Sequence, residues 1–405
     1  MIKCIAYLAP EIPSISGTFV YKEIITLQDK GIEIIPLSVH RPKVIVQDSK
    51  VKELSNNTIY LYQQSLLSAL INSILLLLNK PNSYITTLST VFDDIFSSGF
   101  GKLKSWKLLY QFFYAGLVAQ ILEKNSCQYL HIHFASVPTQ IGMYASSLTG
   151  IPFSFTSHAN DLFENKLLLK DKVERAKTAV TISQYNYEFL AQQGVDTDKL
   201  KIVRCGIDIN KHDFMPRRTL KKPPTIGSLG RLIEKKGMDD LVLALSKLHH
   251  KGVDFRLEIG GEGHLNDYLQ ELAVTHQIRD KIEFKGAIPN DRVYSWLENL
   301  DIFVLACKKD SQGDRDGIPV VLMEAMTIGV PVISTRISGI PELIEDEQSG
   351  FLAEPNSPES LASAIEKLLG WSEPISDLTQ AARNRVVEEF ELQSNVDRLL
   401  SVFNG

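Results

Sequence analysis

Asp310–Ala325 reads DSQGDRDGIPVVLMEA, and the fold is decided there. An apolar strand, Ile302-Phe303-Val304-Leu305-Ala306, runs into this stretch, and a helix through Val320–Met326 leaves it. The polar loop between them carries Gly313 and Gly317 and ends at Pro319, a residue suited to the first turn of a helix. A strand that passes through a glycine-bearing loop into a helix turns free backbone N–H groups outward. With the positive end of the helix dipole, those groups suit a phosphate. Two carboxylates frame the turn, Asp316 before the helix and Glu324 within it, the latter about 8 Å along the helix axis. The same pattern also describes an ordinary βα junction capped by an aspartate, and this stretch alone does not separate the two.

Outward from it, strand and helix patterns alternate, which implies an α/β fold with parallel sheets. Toward the N-terminal side, Pro224–Arg231 is a strand ending in glycines, with Gly230 and Arg231 at its tip. A short loop follows with Lys235 and Lys236 before helical periodicity begins at Met238. Arg231 and Lys236, five residues apart across a tight loop, can both reach a diphosphate, the first as a fork and the second as a point charge. Two adjacent lysines are also what a solvated surface pair looks like. The next strand, Phe255–Ile259, closes on Gly260-Gly261-Glu262-Gly263, a turn that lets backbone approach closely.

The first half repeats the alternation. Ile2–Leu8 is strand-like, a loop runs to Gly17, a helix follows to Lys30-Gly31, and Ile32–Val39 is the next strand. YLHIHFA (129–135) and Ile151–Thr156 are strands that deliver His133 and then His158 and Asp161 to their C-terminal ends, where open α/β sheets bind ligands. A polar, basic, proline-containing stretch at 209–223 reads as a linker between a first domain, 1–208, and a second, 224–389.

Composition narrows the functional classes. The 405 residues suffice for two full-sized cores, and the net charge of −5 includes no basic run of the kind nucleic-acid binders carry. Residues 1–205 hold 20 Lys and Arg against 16 Asp and Glu, so the first half is mildly basic. Four dispersed cysteines, Cys4, Cys127, Cys205 and Cys307, fit a reducing cytoplasm and show no metal-ligand spacing. Two apolar segments, LLSALINSILLLL (66–78) and WKLLYQFFYAGLVAQIL (106–122), the latter led by Lys102, Lys104 and Lys107, read as core helices covering the sheet. Lysines beside aromatic and aliphatic residues also describe an interfacial helix, so a peripheral membrane contact through 66–122 stays open.

Taken together, LHIHFA, PFSFTSHANDLF, IVRCGID, GSLGRLIEKKG, IGGEG, DGIPVVLMEAM and GVPVISTRISGIPELI resemble, in order, the GT-B glycosyltransferases of the retaining GT4 family, in particular bacterial enzymes of exopolysaccharide and colanic-acid synthesis. The resemblance implies two Rossmann-like domains facing each other across a cleft, with residues 390–405 crossing back to the first. It implies a retaining, metal-independent transfer of a hexose from a UDP- or GDP-sugar to a polysaccharide or glycolipid acceptor, with no other cofactor. Arg231 and Lys236 would hold the donor diphosphate, Glu324 the ribose, Asp316 the sugar, and Gly317 and Ile318 would offer backbone N–H groups. Gly17, Gly230 and Gly261 would lie along the donor, His158 beside the reacting sugar, and His133 and Asp161 toward the acceptor. Asp316 is one methylene shorter than the glutamate usual at its position, and Gly17 stands where many relatives have a glycine pair. A non-catalytic nucleotide-sugar binder, or an epimerase or phosphorylase on the same architecture, are the alternatives.

Overall fold

The structure, a computed structural model, describes residues 2–14, 17–43, 48–163, 167–217 and 219–405. Ile15 and Ser16, in the loop expected to approach a ligand, lie outside the described residues. By its contacts the chain divides into two units, 1–182 with 187–203 and 393–405, and 183–186 with 204–392.

The first unit is built on strands β1 (Cys4–Glu11), β2 (Glu33–His40), β3 (Ile59–Tyr60), β4 (Tyr129–His133), β5 (Phe153–Ser157), β6 (Thr178–Thr181) and β7 (Leu200–Ile202). Their spatial order is β3-β2-β1-β4-β5-β6-β7, and every pairing is parallel. Parallel strands covered by helices on both faces are apolar on both faces, and β4 and β5 are buried at every position. The second unit repeats the plan with β8 (Thr225–Leu229), β9 (Arg256–Gly260), β10 (Ile282–Gly286), β11 (Ile302–Val304), β12 (Val332–Thr335) and β13 (Phe351–Ala353), in the order β10-β9-β8-β11-β12-β13. In each sheet the order reverses direction at one place, between β1 and β4 and between β8 and β11. A crevice opens at the carboxyl end of such a reversal, which is where doubly wound sheets bind ligands.

Pro319 precedes the helix Val320–Thr327 as its N-cap residue with extended backbone, one position earlier than a first-turn proline. Several helices, among them Ser49–Asn57, Pro81–Ser97, Leu169–Arg175 and Asn266–Thr275, go beyond the elements read from the sequence; Pro81–Ser97 shows why. This helix is rich in Ser and Thr, and its inward face, Tyr84, Thr87, Val91, Asp94 and Ile95, carries a polar residue that obscures the period. Asp94 is buried because Arg175 donates to both its oxygens, at 2.7 and 2.6 Å, and the Tyr144 hydroxyl adds a third bond at 2.7 Å. The segment 209–223 lies along the second unit. Met215 N–H donates to the Ile328 carbonyl at 3.2 Å and Arg217 N–H to that of Gly329 at 3.3 Å.

The last helix, Leu392–Asn404, packs within the first unit. Phe403 is fully buried, with its ring centroid 5.1 Å from that of Tyr129 and 5.0 Å from that of His131. Lys30 and Asp397 pair at 2.7 Å at the rim. Phe403→Ala should therefore lower the stability of this unit by about 3 kcal/mol, read as a shift in the urea midpoint.

Candidate active site

In the second unit, two loops leave the sheet at its reversal, one after β8 and one after β11. Pairing of Ile302 with Ile226 and of Phe303 with Gly227 sets them side by side. Gly227 permits this, since a Cβ there would lie 2.1 Å from Leu300 Cδ1. The β8 loop makes a 3₁₀ turn over Glu234–Lys236, then a left-handed Gly237 (φ 62°), where a Cβ would strike the Ala306 carbonyl. In the β11 loop, the Asp310 carboxylate accepts from the N–H groups of Gln312 and Asp314, which folds the DSQGD turn on itself.

Charged contacts then tie the loops together. Glu234 accepts from Ser311 N–H at 3.0 Å, Lys235 Nζ reaches Asp314 at 2.7 Å, and Lys236 Nζ reaches Asp316 at 2.6 Å. Lys235 Nζ also lies 3.5 Å from Asp316, so two ammonium groups face one carboxylate. Burial alone would raise the Asp316 carboxyl, but Lys236 and Lys235 outweigh it and hold it below the usual range. Burial likewise opposes the charge on Lys236, and Asp316 outweighs it, so the lysine is held above its ordinary value. Cys307 lies below, its Sγ 3.5 Å from Asp316, and its thiol is raised by burial and then by that carboxylate. Arg231 is exposed at the tip of the β8 loop. Glu324 is buried on Val320–Thr327, and Gly317 and Ile318 immediately precede Pro319.

The glycines have particular packing roles. Gly261 is left-handed (φ 124°), and a Cβ would lie 1.8 Å from the Gly230 carbonyl oxygen. Gly230 in turn leaves room for the Lys236 stem, 3.2 Å from where its own Cβ would be. Gly17 differs: a Cβ there would meet only Ser14, at an ordinary 3.4 Å.

In the first unit, a polar chain runs across the reversal between β1 and β4. The Tyr7 hydroxyl donates to Glu23 Oε1 at 2.6 Å, and His133 Nε2 lies 3.0 Å from the same oxygen. His133 Nδ1 is 3.1 Å from His158 Nε2, with the two rings nearly parallel. A neutral His133 that donates to Glu23 must accept at its other nitrogen, which makes His158 Nε2 a donor to it. The His158 ring also lies against Phe19 and Phe134, at centroid distances of 4.6 and 4.5 Å. Asp161 is buried and holds backbone. It accepts from Ala135 N–H at 2.7 Å and from His158 N–H at 3.0 and 3.2 Å. Lys172 Nζ donates to the Ala135 and Leu167 carbonyls, and burial pushes this lysine down to about 7 against the pull of Asp161. Glu23, His131 and His133 each offer a donor atom within 4.8 Å of the others, a spacing a metal could use. These donors are engaged internally, His131 Nε2 at 3.1 Å from Thr156 Oγ1.

Each reversal therefore carries one charged or hydrogen-bonded cluster, and family models match most of the residues that carry them, Tyr7 and Glu23 excepted. The model for glycosyl transferases group 1 matches residues 211–385, and that for glycosyltransferase family 4 matches 96–211, together more than half of the chain. The chain belongs to the glycosyltransferases of this family. Over 208 residues it is 36% identical to WcaL of Escherichia coli, named for colanic acid biosynthesis, and the match covers 50% of each chain. The chain thus spans about half the length of that relative. Across 99% of its length it superposes on a glycosyltransferase from Rickettsia africae, with a TM-score of 0.70, 20% identity and 98% of that chain covered. HepE of Anabaena, solved with UDP, gives a TM-score of 0.70 at 14% identity, covering 99% of both chains. The fold is GT-B, with two Rossmann-like units.

Among the residues expected in this glycosyltransferase's site, Lys236 and Asp316 are brought into direct contact, as are His133 and His158. Gly230 and Gly261 meet through backbone packing, and Asp161 works beneath His158. Tyr7, Glu23, His131 and Lys172 escaped the sequence reading, which took Lys235 only as the neighbour of Lys236. The one signal for His131 is its place two residues before His133, on the same face of β4.

His131 and His158 are both held well below the ordinary histidine range, by burial first and by neighbouring histidines second. The unfolded chain then binds protons near pH 6.5 that the folded chain refuses, so stability is present above that pH and is lost on acidification. Thermal unfolding should show a Tm that falls between about pH 7 and pH 5, and His158→Gln should remove about one proton from that dependence. Asp316→Asn leaves Lys236 without its charged partner and should cost about 3 kcal/mol in denaturant unfolding.

Proposed function

We propose that the protein is a retaining, metal-independent hexosyltransferase that moves a sugar from a nucleoside-diphosphate sugar to a polysaccharide or glycolipid acceptor. The observation that carries this reading is the paired loops at the β8/β11 reversal, where Lys236 lies 2.6 Å from Asp316 inside the segment matched by the group 1 model. A diphosphate at this point meets Lys236 and Arg231 as cations and the N–H groups of Gly317 and Ile318 as donors. Glu324 takes the ribose hydroxyls, and Asp316, anchored by Lys236, turns toward the sugar.

In the reaction, the bond between the anomeric carbon and the diphosphate oxygen breaks while the acceptor oxygen bonds to the same face of that carbon. The acceptor's proton passes to the departing phosphate oxygen. Arg231 and Lys236 carry the charge that develops there, already in place before the bond breaks. His158 is kept neutral by burial, and the reaction does not require it to take a proton. Colanic acid biosynthesis in the name of WcaL makes an exopolysaccharide repeat a reasonable acceptor class, and the UDP held by HepE makes a UDP-sugar the first donor to try and a GDP-sugar the second.

The test is donor hydrolysis and transfer with UDP- and GDP-sugars, with and without EDTA, following the anomeric configuration by NMR. One donor should be turned over at the same rate in EDTA, with retention. Lys236→Ala and Glu324→Ala should each lower kcat/KM by about 10²–10³ while leaving the circular dichroism spectrum intact. Loss of activity in EDTA, an inverted product, or full activity in Lys236→Ala would sink the reading.

A further inference from the structure

Of the eighteen large apolar side chains exposed among the described residues, fourteen lie between positions 66 and 110. Scattered apolar exposure is ordinary, but concentration in one tenth of the chain marks an interaction surface. On the helix Leu66–Asn79, Leu67, Ile71, Ile74 and Leu78 recur at helical spacing and form one outward stripe, exposed by 66, 49, 56 and 72%. The opposite face packs Ser73 and Leu76 against Gly116 of the helix Leu103–Lys124, where a Cβ would lie 2.8 Å from Ser73 Oγ. The stripe is therefore held in place by a fixed inner contact.

The turn between the helices Pro81–Ser97 and Leu103–Lys124 extends the feature. Phe96 stacks on Phe100 at 5.0 Å, and Phe100 meets the Trp106 ring edge to face at 5.0 Å. The Trp106 indole N–H donates to the Phe100 carbonyl at 2.9 Å, which satisfies its one polar atom. Leu103, at the tip, is 78% exposed. Lys102, Lys104 and Lys107 are exposed in the same turn. Within 66–110 the acids are Asp93, which is exposed, and Asp94, which is buried against Arg175. The apolar surface is thus edged by cations with little opposing charge.

We propose that this face of the first unit docks on an anionic lipid bilayer, with the helix Leu66–Asn79 lying in the plane of the interface. Its length, about 21 Å, is too short to span a bilayer core, and no helix among the described residues is long and apolar enough to cross one. An apolar stripe sinks to the acyl boundary, aromatic rings sit at headgroup level, and lysines meet lipid phosphates, and residues 66–110 expose all three kinds of side chain. A protein partner would need an apolar surface with its own acidic rim. A bilayer supplies both features everywhere.

Flotation of the full chain with phosphatidylcholine vesicles, with and without phosphatidylglycerol, tests this independently of any glycosyl transfer. The protein should float with the anionic vesicles only, and less so as salt is raised. Leu67→Gln with Leu78→Gln, and separately Lys102→Glu with Lys104→Glu and Lys107→Glu, should each reduce the floated fraction about tenfold with circular dichroism unchanged. These positions are surface sites, so neither variant relies on core packing. Failure of the wild-type chain to float, or flotation indifferent to both variants, would overturn the proposal. So would a lipid-free dimer that the leucine variant dissociates, because it would assign the face to a second copy of the chain.

Discussion

The parallel register of β8 against β11 is the constraint on which the second unit's site depends. It is a short contact, two paired residues on each strand, yet it places two otherwise unrelated loops within reach of each other's side chains. Gly227 and Gly237 keep the approach close, the one by leaving room for Leu300 and the other by clearing the Ala306 carbonyl. Once the loops are adjacent, each of three successive residues, Glu234, Lys235 and Lys236, finds a partner on the β11 loop. Gly237 also closes the turn that carries the three, its N–H donating to the Glu234 carbonyl at 3.0 Å.

The first unit solves a different problem with the same topology. Its cluster carries little formal charge and is largely removed from water. Burial of imidazoles favours their neutral forms, and in a neutral pair one ring must give the hydrogen that the other receives. Glu23 and Tyr7 supply the direction, since the carboxylate oxygen accepts from both the phenol and the His133 ring. The orientation of His158 is thereby fixed from a helix and a strand that precede it by more than 100 residues.

Much of this architecture was legible in the chain. Parallel strands buried on both faces read as short apolar runs, and the glycines and prolines after them mark the loops. Asp316 and Glu324 were legible as two carboxylates about the turn, although the helix places only Glu324, since Asp316 lies in the loop before Pro319. The partnerships were not. Lys235 and Lys236 can be read as one solvated pair, and only the β11 loop, about 80 residues on, gives the first to Asp314 and the second to Asp316 as nearest partners. Glu23 reads as an ordinary polar residue on an amphipathic helix until β4 is laid beside β1. Gly261 reads as a residue making space for a ligand, whereas its left-handed backbone and the Gly230 carbonyl already require glycine there. Helix Pro81–Ser97 was obscured because its buried face includes Asp94, whose partner Arg175 lies 81 residues later.

The contact between Lys236 and Asp316 also bears on how an anion would come and go. The lysine already holds a resident counter-ion, so an arriving phosphate gains only the difference between its own attraction and that of the carboxylate it joins. The same carboxylate stabilises the ammonium group when the phosphate departs, so the lysine is never left as a bare charge in a buried place. Under the proposed role of Lys236, such a site would trade tight retention of its anion for rapid exchange.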